Sequence, residues 1–129
     1  MIEGIGVDIV AIARIENVIA KYGEHFLHKV FTNGEIDYCR RMPRPALHFA
    51  GRWAAKEAFY KALPLVCQKV CGFTSIEVVA GESPKPKMEI VSKDLNAAVQ
   101  SANIAVTHLS ISHEHDNCIA FVVVERKTP

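Results

Sequence analysis

The sequence of 129 residues has no apolar run of the roughly 18 residues that a membrane span needs. Its residues 1–8 carry acids where a secretion signal carries lysines. The four cysteines, Cys39, Cys67, Cys71 and Cys118, form no Cys-x-x-Cys pair, so neither a zinc site nor a disulfide framework is expected. The formal net charge of +1 provides no field that would attract nucleic acid. We therefore expect a cytoplasmic protein with no membrane segment and no nucleic-acid partner.

Length and composition favour a single domain covering residues 1–129. Such a chain is long enough to bury one hydrophobic core but not two. Half of the residues are apolar and 22% are charged, which is typical of a globular protein and not of a disordered one.

Hydrophobic spacing predicts the elements of the first half. Residues 2–10 are rich in Ile and Val and predict a buried strand. Apolar residues at helical spacing predict a helix over 12–19 that stops at Gly23, and a second short helix over 26–31.

Capping residues and prolines set the next two helices. Thr32 and Glu35 form a capping box, which predicts a helix over about 33–41. A long helix over about 46–63 follows, and Pro64 ends it.

The second half is rich in β structure. Its patterns predict a helix over about 93–100, a hairpin turn over 81–86, a second turn over 115–117, and strands over 74–80, 87–91, 108–113 and 118–125. Early helices and late hairpins indicate an α+β fold with helices packed on a small antiparallel sheet.

The segment 51–61 combines charges with small residues on one continuous helix. Glu57 and Lys61 lie one turn apart on the same face, and Arg52 and Lys56 add two more cations. This set suits a metal-bound ligand that carries phosphate. The alternative is an ordinary Glu–Lys pair on a solvated helix face.

Asp8 interrupts an apolar strand. Its charge must be hydrogen-bonded, cap the following helix or coordinate a cation, because an unpaired buried charge is too costly. Two carboxylates from different elements, here Asp8 and Glu57, are the usual protein contribution to a Mg²⁺ site, whose other ligands are water and substrate phosphates. The spacing does not prove that the two meet, so capping and metal binding both stay open for Asp8.

A third candidate site is the segment 110–115. On a strand, His113 and His115 would share a face while Ser112 and Glu114 point the other way. The two histidines could share a metal such as zinc, although no third ligand is evident. The alternative is a histidine that the backbone satisfies or that binds phosphate.

Taken together, these segments resemble the holo-acyl-carrier-protein synthases, which are small single-domain 4′-phosphopantetheinyl transferases. The matching pieces occur in the family's order and span nearly the whole chain. They are Gly4 to Val10 with Arg14 and Ile15, then Phe31 and Thr32 with Glu35, Tyr38 and Cys39, then Gly51 to Phe59 with Lys61 and Ala62, and last Ser110 to His113.

The resemblance implies a fold, a reaction and an assembly. The fold is that of the 4′-phosphopantetheinyl transferases. The enzyme would transfer the phosphopantetheine arm of coenzyme A to a serine of an apo acyl carrier protein, release adenosine 3′,5′-bisphosphate, and so support fatty acid biosynthesis. Family members are commonly trimers, which implies a homotrimer with active sites between subunits.

The resemblance also assigns residues. Asp8 and Glu57 match the Mg²⁺ ligands and, with Lys61, the catalytic group. Arg52, Lys56 and His113 match substrate-binding positions around coenzyme A. Arg14 matches the position that docks the carrier protein. The physical chemistry agrees independently, because attack on a diphosphate develops negative charge that a metal and lysines would stabilise. Either a metal-bound water or a site carboxylate could accept the serine proton.

Two departures from the family pattern bear on the site. After Lys61, residues 62–66 read Ala-Leu-Pro-Leu-Val where the family usually has a Gly-Thr-Gly-like turn near the nucleotide. Glu114 follows His113 where a small hydroxyl residue is common, and strand alternation predicts that it points away. Two other functions remain as alternatives: a Mg²⁺-dependent phosphohydrolase that uses the same carboxylates, and a binding module that uses the helix and hairpin as a partner surface.

Overall fold

The computed structural model describes residues 1–80 and 85–129. The predicted hairpin turn over 81–86 lies largely outside these residues. The described elements are β1 (Ile2–Ala11), α1 (Ile12–Tyr22), α2 (Glu24–Val30), α3 (Asn33–Arg40), α4 (Pro45–Ala62), α5 (Leu65–Gln68), a 3₁₀ turn (Phe73–Ser75), β2 (Ile76–Ala80), β3 (Pro86–Ile90), α6 (Lys93–Ser101), β4 (Ile104–Glu114) and β5 (Asn117–Arg126). Helices packed on antiparallel strands confirm the predicted α+β fold.

Most helix ends follow the local chemistry that predicts them. Gly23 ends α1 with a φ of 56°, a conformation that glycine adopts without strain. The Thr32 hydroxyl accepts from the Glu35 amide while the Glu35 carboxylate accepts from the Thr32 amide, so α3 begins with the expected capping box. The one-turn helix α5 was not predicted, and β4 begins four residues earlier than expected.

The main sheet has three antiparallel strands in the order β1-β5-β4, and β2 pairs with β3 in a separate hairpin. Along β5 the side chains alternate, with Ala120, Val122 and Val124 buried and Phe121 exposed. This alternation places one face of the sheet against the core and leaves the other face bare.

The prediction that residues 2–10 form a strand is confirmed, but the expectation that it is buried is wrong. β1 is an edge strand, and Ile5, Val7 and Ile9 point away from the core with exposed fractions of 55%, 48% and 64%. Together with Ile119 and Phe121 of β5 they form what we call the outer sheet face. The hydrophobic pattern assigns the large residues Ile5, Val7 and Ile9 to the core, whereas in the structure the alternating glycines face it, because α4 packs on the strand backbone at Gly4 and Gly6.

The long helix α4 packs directly on the backbone of β1 and β5. A Cβ atom on Gly6 would lie 1.8 Å from the carbonyl oxygen of Ala58, and one on Gly4 would lie 1.9 Å from that of Ala62. The two elements therefore approach more closely than any side chain on these glycines would allow. Within the described residues, no helix is long and apolar enough to cross a membrane.

Candidate functional site

The close packing of β1 on α4 brings Asp8 and Lys61 together. Asp8 follows Gly4 and Gly6 on the strand face that looks toward α4. Its Oδ1 lies 3.2 Å from Lys61 Nζ, which also donates to the Val7 carbonyl oxygen at 3.1 Å. Asp8 therefore reaches across to the helix and does not cap α1, whose N-cap residue makes no side-chain hydrogen bond.

Glu57 belongs to the same cluster. The pKa of its carboxyl is raised above the ordinary value, first by burial and then by the negative charge of Asp8, while Lys61 and Arg14 act in the opposite direction. The structure thus brings four predicted site residues close enough to influence one another. We call Asp8, Glu57, Lys61 and Arg14 the carboxylate half-site.

Two neighbouring carboxylates suit a divalent cation, because the cation offsets the repulsion that Asp8 exerts on the ionised Glu57. The chemistry of the donors also fits Mg²⁺, which prefers carboxylate oxygens and leaves the rest of its shell to water and phosphate. Asp8 and Glu57 are therefore the residues that could hold the metal. A cavity of about 250 Å³ opens beside Glu57 and is lined mainly by apolar surface, including Tyr60, Phe73 and Ile76.

Lys56 occupies a different environment from the other cations. It is 1% exposed, and its Nζ lies 2.6 Å from Glu35 Oε1. The same atom donates to the carbonyl oxygens of Val30 and Phe73 at 2.9 Å and 2.7 Å. Because three protein oxygens engage its three N–H groups, Lys56 supports the fold beside the cavity. Its predicted contact with coenzyme A stays a prediction.

Glu35 is the centre of this buried network, and the sequence pattern revealed only part of its role. Its Oε1 accepts from the Thr32 amide and its Oε2 accepts from the Val78 amide at 2.7 Å. A single carboxylate therefore ties the start of α3 to β2 and, through Lys56, to α4. The capping box was visible in the sequence, whereas the ion pair with a residue 21 positions later was not.

A second group of charged residues lies near the start of α4. Arg52 is 6% exposed, and its guanidinium stacks at 4.2 Å over the ring of Tyr38 from α3. His48 lies one helical turn before Arg52, with its ring 6.0 Å from that of Tyr38. We call Tyr38, His48, Arg52 and His113 the Arg52 cluster.

His113 joins this cluster from β4. It lies on the strand face that carries Leu109 and Ile111 toward the core, and its charge lowers the pKa of His48. Glu114, the next residue, is exposed, and strand alternation directs it to the opposite face from His113. β4 ends at Glu114, and His115 lies in the turn with a φ of 51°, so strand geometry does not pair His115 with His113.

The two groups lie on different sides of α4. At about 100° per residue, Arg52 and Lys61 point in opposite directions and are separated by about 14 Å along the axis. The structure thus brings Asp8, Glu57, Lys61 and Arg14 together, and it brings Arg52 and His113 together, but it does not join the two groups within one chain.

Sequence reasoning missed Tyr38 and His48 as members of a site. Tyr38 belonged to a matching segment without an assigned role. The signal for His48 was its four-residue spacing from Arg52 on a continuous helix, which places both side chains on one face.

The segment after Lys61, which departs from the family pattern, forms the short helix α5 with Pro64 as its N-cap residue. Its Leu65 and Val66 are 66% and 57% exposed.

Comparison with known proteins gives consistent results. A family model described as the 4′-phosphopantetheinyl transferase superfamily matches residues 4–122. A holo-[acyl-carrier-protein] synthase of Halothermothrix orenii is 43% identical over 125 residues, which cover 97% of this chain and 98% of that protein.

Solved structures match over nearly the same span. The holo-[acyl-carrier-protein] synthase of Neisseria meningitidis superposes with a TM-score of 0.86 at 32% identity and covers 98% of this chain and 100% of that one. The synthase of Bacillus anthracis, solved in complex with CoA (3′,5′-ADP), gives a TM-score of 0.78 at 32% identity over 98% of this chain and 99% of that one.

Proposed function

The chain belongs to the holo-acyl-carrier-protein synthases of the 4′-phosphopantetheinyl transferase superfamily and is a transferase, and from this premise we propose its substrates and residue roles. It transfers the phosphopantetheine arm of coenzyme A to a serine of an apo acyl carrier protein in a Mg²⁺-dependent step, which would serve fatty acid biosynthesis in the cytoplasm. The serine oxygen forms a bond to phosphorus, the diphosphate P–O bond breaks and adenosine 3′,5′-bisphosphate leaves, while the serine proton passes to a site carboxylate or to water. The observation that carries this proposal is the meeting of Asp8, Glu57 and Lys61 where β1 packs on α4.

The carboxylate half-site fits the diphosphate of coenzyme A. Asp8 and Glu57 would hold Mg²⁺, which supplies charge neutralisation on the diphosphate oxygens when bound. The Lys61 ammonium lies 3.2 Å from Asp8 and is about half exposed, so it can turn toward a phosphate oxygen without leaving the site. Lys61 then stabilises the negative charge that develops on the departing phosphate.

The Arg52 cluster fits the remaining phosphate, which coenzyme A carries on the 3′ position of its ribose. Arg52 and His113 offer cationic and hydrogen-bonding groups to a phosphate dianion. One coenzyme A cannot reach both groups of the same chain, because Arg52 and Lys61 point to opposite sides of α4. We therefore place the active site between the carboxylate half-site of one chain and the Arg52 cluster of another.

The outer sheet face supports such an assembly. Ile5, Val7, Ile9, Ile119 and Phe121 lie side by side on β1 and β5, since Val7 pairs with Phe121 and Ile9 with Ile119. Their exposed fractions range from 40% to 64%, and a contiguous apolar surface of this kind marks a protein interface. We propose a second copy as its cover and a homotrimer as the assembly, as the family resemblance implies.

The acceptor protein would dock on α1. Arg14 is exposed on this helix and acts electrostatically on Glu57, so an acidic carrier protein bound there would present its serine beside the carboxylate half-site. Lys21 at the end of α1 adds a second exposed cation. Charge pairs of this kind steer association more than they add affinity.

The direct test is intact-protein mass spectrometry of an apo acyl carrier protein after incubation with the enzyme, coenzyme A and Mg²⁺. We expect a gain of one phosphopantetheine, which EDTA abolishes. Glu57→Gln and Asp8→Asn should each reduce the rate by at least about a hundredfold, whereas Glu89→Gln, an exposed carboxylate on β3, should not change it. Cleavage of coenzyme A without modification of the carrier would instead identify a phosphohydrolase.

The shared active site has its own test, because subunits with complementary defects can restore it. Arg52→Met and Lys61→Met homotrimers should each be inactive. When the two variants are co-expressed in equal amounts, about one quarter of the sites would combine an intact Lys61 with an intact Arg52 from a neighbour. We expect about 25% of wild-type activity on this symmetry argument. No restored activity would show that the two groups do not form one site between chains.

A further inference from the structure

His48 has no part in the function proposed above, yet it lies inside the Arg52 cluster. It shares one face of α4 with Arg52 at a spacing of four residues, and both side chains contact the same aromatic ring, that of Tyr38. The His48 side chain is half-buried in the first turn of α4. Arg52 is a permanent cation, so its closeness makes protonation of the His48 ring unfavourable unless an anion binds between them.

The surroundings of His48 are positively charged, and no neighbouring carboxylate of the described residues balances this charge. In the described part of the chain, no carboxylate lies within 4.0 Å of His48, Arg52 or His113. The first turn of α4 contains no acid and has no side-chain cap, so its amide groups also favour an anion. This environment is suited to a negatively charged group from outside the chain.

Arg52 provides a second and independent sign of a missing acceptor. Its Nε is buried and has no hydrogen-bond partner among the described residues. The residue as a whole is only 6% exposed. A buried donor without an acceptor is destabilising, and a bound anion would relieve that cost. The orphaned atom belongs to the residue that the family resemblance assigns to coenzyme A.

We infer that His48 is a third binding residue for the phosphate that Arg52 and His113 hold, and that its ring takes up a proton when this phosphate binds. The inference rests on the proposed function, because the phosphate in question is the 3′-phosphate of coenzyme A. It adds His48 to the binding site and makes the affinity for coenzyme A depend on pH, through a histidine that this chain carries.

The electrostatics give the direction of the effect. Burial, then Arg52, then His113 lower the pKa of His48, so that its ring is neutral in the free protein at neutral pH. The groups that act on its ring are Arg52 of α4 and His113 of β4, the Tyr38 ring of α3 packs against it, and Arg44 is the N-cap residue of the same helix. A phosphate dianion among them offsets the positive charge of Arg52 and favours the protonated ring of His48.

Linkage then fixes the sign of the pH dependence. Binding is accompanied by proton uptake, so affinity rises as pH falls from the pKa of His48 in the complex toward its lower pKa in the free protein. Outside this window His48 contributes no pH dependence. The second ionisation of the phosphate, near pH 6, acts in the opposite direction but is common to every variant and cancels in a comparison.

The experiment measures proton uptake by calorimetry of the intact protein with adenosine 3′,5′-bisphosphate, in two buffers that differ in ionisation enthalpy. Near pH 7 the wild type should take up a measurable fraction of a proton more than His48→Gln. A one-unit shift in pKa makes the affinity ratio of the two proteins change about tenfold across the window. With dephospho-coenzyme A, which lacks the 3′-phosphate, the difference between wild type and variant should vanish.

An NMR titration of the His48 ring in the wild type repeats the test without any substitution, and the pKa should be higher with ligand than without. Binding with equal proton uptake by wild type and His48→Gln, or an unshifted ring titration, overturns the role of His48 and leaves the transferase function standing. If neither protein binds coenzyme A or adenosine 3′,5′-bisphosphate, the proposed function fails and this inference fails with it.

Discussion

Replacing Lys56 with methionine separates a structural role from a substrate-binding one. The substitution keeps most of the side-chain volume but removes an ammonium group that is 1% exposed and donates to three oxygens. The Glu35 carboxylate would keep its two backbone donors but lose its cation. The carbonyl oxygens of Val30 and Phe73 would lose a donor as well.

The expected loss is large for a domain of this size. Breaking a buried ion pair by removing one partner costs about 3–5 kcal/mol, against a total stability of about 5–15 kcal/mol. The melting temperature should fall by about 10–20 °C. Lys61→Met is the matched control because the Lys61 side chain is 51% exposed and its ion pair with Asp8 should contribute at most about 1 kcal/mol.

Urea unfolding measures both variants, and calorimetry with coenzyme A measures their ligand binding. The double variant Glu35→Gln with Lys56→Met should recover part of the lost stability, because no unpaired charge then remains buried, although the amide of Thr32 or Val78 loses its acceptor. If Lys56→Met stays within about 1 kcal/mol of wild type and loses affinity for coenzyme A, the ammonium contacts substrate and the argument from the buried pair is refuted.

Three further substitutions and reactions test other parts of the structure. Gly6→Ala places a Cβ 1.8 Å from the Ala58 carbonyl oxygen, so we expect the free energy of unfolding to fall by about 1–3 kcal/mol and the rate of phosphopantetheine transfer to fall sharply. Gly34→Ala is the control and should be near neutral, because the added Cβ meets only a movable carboxylate. Equal stability of the two would contradict the direct packing of strand on helix. Phe121→Glu should yield a folded monomer by light scattering, and a trimer of this variant would exclude the outer sheet face as the interface. Burial raises the pKa of Cys71 to about 11 from an ordinary 9.0, so its alkylation at pH 8 should be about a hundredfold slower than that of an exposed thiol, and equal rates would refute its burial.

The sequence was informative wherever neighbouring residues determine the structure. The capping box of Thr32 and Glu35, the left-handed Gly23 and the proline before α5 each act within one or two turns, so the helix ends could be placed to within about two residues. The glycines at positions 4 and 6 of β1 and the alanines at 58 and 62 of α4 hold a longer-range signal. Glycines at strand spacing allow the alanine face of a helix to approach the strand backbone directly.

The partners of buried charges were not predictable in the same way. Lys56 shares a helical stripe with His48 and Arg52, and nothing in that stripe shows that α3 covers it. The structure shows α3 packed alongside, with Tyr38 against Arg52 and Glu35 against Lys56. Three basic residues with the same periodicity thus have two different environments, because the carboxylate that neutralises Lys56 comes from a separate element.

The separation of Arg52 from Lys61 links the site to the assembly. A helix that packs by glycine and alanine contacts on β1 must turn Lys61 toward Asp8, and the same rotation fixes Arg52 toward α3 and β4. No local movement of side chains can bring the two cations to one ligand without undoing that packing. The apolar outer sheet face is the surface on which we propose that a second copy packs. On this reasoning the glycines of β1, which touch no substrate, determine that the proposed active site requires more than one chain.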